Sequence, residues 1–205
     1  MGAGRTEFLK CVMAQHPQSL GQLYVAGQLV RERDVAGRIQ RGLALIPKDR
    51  KRKGLVQILS IRENLTLSSL AQFTSILHLS LKTKALRAMQ FVKRLSIKIA
   101  GAKNPVSSLS GGNQQNVAIG KALMTGPKVL LMDKPSRGID IGAKAAVFRT
   151  MRQLAADGLG ILFVTSDLDE VLTLSDRILV MADGRITGEF PAVFAAAPHQ
   201  KGPTP

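Results

Sequence analysis

The strongest constraint on this chain is the rhythm of its second half, where short and nearly continuous apolar runs alternate with helical segments. Val129–Met132, Ile161–Val164 and Ile178–Met181 each read as a strand bounded by turn residues. Between them, helices are predicted from about Gly112 to Met124, stopped by Gly126-Pro127, and from about Ala143 to Ala156, stopped by Gly158. A strand that is apolar throughout needs cover on both faces, and strands linked by helices run parallel. The fold class is therefore α/β, with a mostly parallel sheet between helical layers.

The first half varies this theme. Phe8, Leu9, Val12 and Met13 fall on one helical face, and Leu23-Tyr24-Val25 turning at Ala26-Gly27 reads as a small antiparallel hairpin. Leu43–Pro47 is predicted as a strand running into a basic loop. Ile61–Ala100 looks helical, with Leu86, Met89, Val92 and Leu95 as its packing stripe. Asp183-Gly184 marks a further turn, and the Ala/Pro-rich segment 191–205 reads as a loose tail.

Composition excludes several classes. No run approaches the roughly 18 apolar residues of a membrane span, and the start lacks a basic-then-apolar signal, so a cytoplasmic chain is expected. The one cysteine, Cys11, cannot form an internal disulfide and is read as a small buried thiol. The net charge of +15 suits anionic partners, but aromatics are only 4%, which gives a base-stacking surface little support. The dense run Lys48-Asp49-Arg50-Lys51-Arg52-Lys53 reads as a solvated basic face. His16, His78 and His199 match no catalytic pattern.

Two features carry chemistry. In Leu109-Ser110-Gly111-Gly112-Asn113-Gln114-Gln115, adjacent glycines at the head of a helix let backbone N–H groups approach an anion, with the Ser110 hydroxyl as an added donor. Alone, such a loop is equally compatible with plain helix capping. Asp133 ends the apolar strand that begins at Val129, where a carboxylate leaving the sheet edge can hold Mg²⁺ directly or through water.

Together these segments resemble the signature loop and Walker B strand of ABC-transporter ATPases. Ser136-Arg137-Gly138-Ile139-Asp140 is similar to that family's D-loop, and Leu174–Met181 with Asp183-Gly184 to its closing strands. Gly2-Ala3-Gly4-Arg5-Thr6-Glu7, Pro47–Arg52, Leu59–Leu65 and Gly138–Lys144 resemble the second ATPase half of tandem importers for monosaccharides such as ribose, galactose and xylose. The resemblance implies a P-loop ATPase domain over residues 1–190, with a helical subdomain near 61–125. It also implies ATP and Mg²⁺ as cofactors, the latter held by Asp133 and Thr6. The implied nucleotide contacts are Gly2, Ala3, Gly4, Arg5, Thr6, Lys48, Ser110, Gly111, Gly112, Asn113, Gln114 and Asp140. The implied partners are a first ATPase half or another ABC ATPase domain, membrane permease subunits on the cytoplasmic face of the membrane and, indirectly, a periplasmic sugar-binding protein; nucleic acid is not expected.

Several positions depart from that pattern. A full phosphate loop reads G-x-x-x-x-G-K-[ST] after a strand, and Gly4-Arg5-Thr6 covers only its end, with Arg5 in the lysine position. The central strand feeding the loop is expected to be missing, leaving an exposed sheet edge and a chain that folds poorly alone. Lys134 stands where the family has the glutamate that positions the attacking water, and Ser166 where most members have a switch histidine, although Ser166, like Arg5, resembles a trait of the second halves of sugar importers. A lysine after Asp133 offers no acceptor for the water's proton; the innocent alternative is a side chain reaching out to solvent. Lys48 and Lys53 likewise replace acidic or amide residues, adding to the basic charge. The expected function is half of a sugar-importer ATPase that presents its signature loop to a partner while its own site is impaired. The alternatives are a non-functional remnant of a longer ATPase, and a non-hydrolytic basic nucleic-acid binder on the same scaffold.

Overall fold

The computed structural model describes residues 2–16, 21–75 and 78–191. In chain order these form α1 (Arg5–Val12), β1 (Tyr24–Val25), β2 (Gln28–Leu29), α2 (Val35–Gln40), β3 (Leu43–Ile46), a π-helical turn at Arg50–Gly54, and α3 (Ile61–Thr66). They continue as a 3₁₀ segment at Leu67–Phe73, then β4 (Thr74–Ser75), β5 (His78–Leu79), α4 (Leu81–Arg94), α5 (Gly111–Leu123) and β6 (Val129–Asp133). The last elements are α6 (Ile141–Ala156), β7 (Gly160–Val164), α7 (Leu168–Leu174), β8 (Arg177–Ala182) and β9 (Arg185–Pro191).

The parallel sheet has the order β3-β6-β7, with Leu131 of β6 opposite Leu45 on one side and Leu162 on the other. Alternate residues of β6 enter opposite cores, as a period of two demands. Leu130 and Met132 pack among α3–α6 with Ile61, Leu65, Ile119 and Val147. Leu131 packs on the other face with Leu9 and Met13 of the α1 segment, Val25, Val30 and Leu43. All three residues are shielded from water, each contributing roughly 1.5–3 kcal/mol by burial.

Turn chemistry fixes the joints. Asp34 caps α2, Ser80 caps α4, and Ser60 with Glu63 forms a reciprocal capping box at α3, which holds Glu63 below the ordinary glutamate value through the Ser60 contacts. The predicted hairpin at Tyr24 is present as β1-β2. Cys11 is half-buried rather than fully enclosed. His199 and most of the predicted tail lie outside the described residues.

Three expectations are corrected. The strand predicted at Ile178–Met181 does not join the parallel sheet; β8 pairs antiparallel with β9 around the Asp183-Gly184 turn. Among the described residues β7 bonds to β6 alone, and β8-β9 stands apart from it with Leu179, Val180, Ile186 and Phe190 exposed. The stripe on α4 is rotated: Ala88, Phe91, Val92 and Leu95 are buried, while Leu86 is 62% exposed and Met89 lies at the surface. Leu86 lies on the face of α4 turned away from α3 and α5, so the core takes Ala88, Phe91, Val92 and Leu95 at i, i+3, i+4 and i+7. Finally, Arg50 in the basic run is buried.

The rotated face makes a direct prediction. In urea unfolding, Phe91→Ala lowers stability by about 3–5 kcal/mol, whereas Leu86→Ala stays within about 0.5 kcal/mol of the parent.

Candidate functional site

A cavity of about 460 Å³ opens at the head of α1, lined by Gly2–Glu7, Lys48, Asp133, Lys134, Val164 and Thr165. It adjoins a larger one of about 510 Å³ beside the basic turn, and Thr6, Lys48 and Asp133 line both. Gly4 makes the entry possible. Its φ of +84° suits glycine, and a Cβ there would meet Gly184 Cα at 2.9 Å. The Ala3 carbonyl accepts from the Gly184 amide at 3.2 Å, so the β8-β9 turn braces the loop. No side chain caps α1, and its first-turn amides remain open toward the cavity end of the helix.

Asp133 is buried at the end of β6. Its Oδ2 accepts from Thr6 Oγ1 at 3.0 Å, and its Oδ1 has no hydrogen-bond partner. Lys134 follows with φ +49°, an uncommon conformation for lysine, and its amide donates to Val164 O at 2.8 Å. That bond extends the β6-β7 ladder and sets the lysine at the cavity wall. The Arg5 guanidinium donates to the Thr165 carbonyl at the end of β7. Ser166 is exposed and does not line the cavity.

The Ser110 loop lies elsewhere, lining neither cavity. Ser110 is exposed at the head of α5, its Oγ accepting from Asn113 Nδ2 at 3.1 Å, while Asn113 Oδ1 accepts from the Lys98 amide. Gln114 is buried, donating to Leu109 O, which makes it a support for the loop. At Gly111 a Cβ would meet Arg50 Nη2 at 2.9 Å and Gly138 O at 3.0 Å. Arg50 explains the crowding: it donates to the Arg137 carbonyl at 2.6 Å and the Gly138 carbonyl at 2.9 Å, and burial pushes its guanidinium below the ordinary arginine value. One buried cation thus clasps the basic turn, the Ser110 loop and the segment 136–140.

Residues 1–137 match the family model described as ABC transporter. The chain belongs to the ABC transporter family. It is 44% identical over 191 residues to the ribose import ATP-binding protein RbsA of Rhodopirellula baltica, covering 93% of this chain and 37% of that protein. It is 42% identical over 191 residues to the xylose import ATP-binding protein XylG of Moorella thermoacetica, covering 93% of this chain and 38% of that one. The chain therefore spans less than two fifths of the length of these relatives. Among solved structures, a nucleotide-free ATP-binding cassette from an ABC transporter superposes with a TM-score of 0.79 at 23% identity, covering 92% of this chain and 76% of that one. A dimeric cassette bound to ADP and Pi gives 0.74 at 23% identity, covering 93% and 81%. These likenesses show the ABC ATPase fold.

Within this ABC cassette the sequence-selected residues divide into two groups. Gly2, Ala3, Gly4, Arg5, Thr6, Lys48, Asp133 and Lys134 gather at one cavity; Ser110, Gly111 and Asn113 form a separate surface over buried Gly112. Asp140 caps α6, accepting from the Ala143 amide at 2.8 Å. Sequence reasoning missed the clasp at Arg50, hidden inside a basic run. It also missed a junction in which Lys144 Nζ meets Asp167 at 2.7 Å and buried Glu170 at 2.8 Å, while Ser136 donates to Glu170. Nothing in the spacing of residues 136, 144 and 170 signals that contact.

The Thr6 hydroxyl and the unpartnered Asp133 oxygen are the groups that would hold Mg²⁺, and they share the cavity with three cationic side chains. Arg5, Lys48 and Lys134 line the cavity with only Asp133 and Glu7 as carboxylates, so the protein oxygens that would hold the ion together with phosphate and water are those of Thr6 and Asp133.

The junction carries a pH signature. Hydrogen bonds to Asp167 and then Glu170 hold Lys144 above the ordinary lysine value, and the Lys144 contact holds Asp167 below the ordinary aspartate value. The Asp167 contribution to stability is present above the unfolded value near 3.9 and is lost as pH falls through the lower folded value. That of Lys144 is present below the unfolded value near 10.4 and is lost as pH rises through the higher folded value. The melting temperature of Lys144→Met is expected to fall below the parent's at neutral pH, and the gap to narrow at both extremes.

Proposed function

We propose that this chain is the ATP-binding part of a monosaccharide importer, presenting its signature loop to a second ABC ATPase domain while its own nucleotide site does not hydrolyse ATP. The observation that carries this reading is spatial: exposed Ser110, with Gly111 against Arg50 and Gly112 against Ala143, lies outside the cavity that α1 forms. A loop that cannot serve its own site is placed to complete another's, its amides and the head of α5 facing the phosphates of a nucleotide on the partner.

The chain's own cavity lacks the group hydrolysis needs. Activating water requires an acceptor within hydrogen-bond reach of the proton being removed, and Lys134 has only donors to offer. Arg5, held at the Thr165 carbonyl, is set back at the wall where a lysine would reach the phosphates. Exposed Ser166 supplies no imidazole. Nucleotide binding survives these differences, because the N–H groups of the first turn and the surrounding cations suit phosphate.

In this reading residues 1–190 make up one ABC ATPase domain, with the helices between residues 61 and 125 as a subdomain. The names of the RbsA and XylG relatives support ribose- or xylose-type sugars as the cargo class. Among the described residues no helix is long and apolar enough to cross a membrane, which suits a peripheral role on the cytoplasmic face beside permease subunits. A periplasmic sugar-binding protein takes part indirectly, through the permease.

Reconstitution with a competent first ATPase half tests the reading. The complex is expected to hydrolyse ATP at the partner's phosphate loop, and Ser110→Arg is expected to reduce that rate by about 10²-fold or more through lost stabilisation of the transferring phosphoryl group. Full activity in the Ser110→Arg complex would refute the assignment.

A further inference from the structure

The cavity at the head of α1 carries more positive charge than a metal-centred phosphate site needs. Three cations, Arg5, Lys48 and Lys134, line it against two carboxylates, Glu7 and Asp133. Among the described residues neither Lys48 nor Lys134 forms an ion pair. Their positive charge is therefore not neutralised by a direct ion pair among the described residues. A Mg²⁺ site in a nucleotide enzyme works the opposite way, with carboxylates drawing in a cation that then neutralises the phosphates.

We propose that Lys134 and Lys48 together replace that ion, so that this cavity binds a nucleoside triphosphate without a divalent metal. The inference rests on the reading of the cavity as a nucleotide phosphate site. Two ammonium groups carry the same total charge as one Mg²⁺, and each brings three N–H donors to the phosphate oxygens. Lys134 is held for the task by its backbone: the amide bond to Val164 O at 2.8 Å fixes its Cα beside the cavity wall, in a conformation that lysine rarely adopts. The open first-turn amides of α1 add positive potential from the same side.

Asp133 leaves an acceptor open to an incoming cationic group. It is 5% exposed, lines the cavity, and leaves Oδ1 without a partner while Oδ2 holds Thr6. A buried carboxylate oxygen left bare is costly. When triphosphate enters, the Lys134 ammonium moves between its oxygens and Asp133 Oδ1, satisfying both. A resident metal would instead have to share that oxygen's surroundings with two ammonium groups of like charge.

Equilibrium ATP binding by the full chain, measured by calorimetry in excess EDTA and again in Mg²⁺, tests the inference. The parent is expected to bind with affinities that agree within about threefold in the two buffers, a difference of less than one tenfold step. Lys134→Glu is expected to lose about tenfold or more in EDTA and to recover with Mg²⁺; Lys134→Met and Lys48→Met are expected to weaken binding equally in both buffers. Circular dichroism confirms that each variant is folded, and if Lys134→Glu is not, the parent's two buffers and Lys48→Met still decide. Binding by the parent that requires Mg²⁺, or unchanged binding by Lys134→Met in EDTA, overturns the metal-free site and leaves the nucleotide reading standing. No binding by the parent in either buffer overturns both.

Discussion

Burial of Leu130, Leu131 and Met132 on both faces of β6 sets the position of nearly every charged group that matters in this molecule. A strand enclosed on both sides cannot slip or tilt without exposing apolar surface worth several kcal/mol. The residue at its end is therefore delivered to a fixed point, and that residue is Asp133. Lys134 follows, tied to Val164 by one more rung of the ladder. The α1 segment packs on the same strand through Leu9 and Met13, which brings Thr6 within 3.0 Å of the Asp133 carboxylate. The phosphate-side cavity is thus a consequence of the core, one residue beyond its edge.

The second surface depends on a different kind of contact. Arg50 is a buried charge whose donors reach the Arg137 and Gly138 carbonyls, and its Nη2 is close enough to Gly111 to forbid a side chain there. A guanidinium in that setting is stable only while those carbonyls accept from it. The Ser110 loop, the basic turn and the 136–140 segment are consequently coupled. Lys144, Asp167, Glu170 and Ser136 then link the same segment to the loop after β7.

How much of this was legible in the sequence depended on whether the signal was periodic or pairwise. The apolar run of β6, the glycines ahead of α5 and the turn at Ala26-Gly27 are local patterns, and each predicted its element to within a residue or two. The stripe on α4 was misplaced because Leu86 and Phe91 are both apolar, and only the neighbouring α3 and α5 decide which face is covered. The strand at Ile178 was recognised, but it was grouped with the parallel strands, although the Asp183-Gly184 turn and the alternation of Ile186, Gly188 and Phe190 mark a hairpin. Arg50 was read as surface because its carbonyl partners lie 87 and 88 residues away. Of the candidate residues taken from the family resemblance, Gly2–Thr6, Lys48, Asp133 and Lys134 line one cavity, while Gln114 is buried, Asp140 caps α6 and Ser166 is exposed outside it.

The central claim is that Lys134 leaves this cavity able to hold ATP but unable to cleave it. A single-turnover assay with γ-labelled ATP, run on the chain and on Lys134→Glu in complex with a partner ATPase domain that supplies its signature loop but has its own hydrolytic site disabled, tests it most directly. The account predicts intact ATP recovered from the parent, and phosphate release from Lys134→Glu faster by about 10²–10⁴-fold, the usual worth of a positioned proton acceptor. Cleavage by the parent at the rate of the glutamate variant would contradict it.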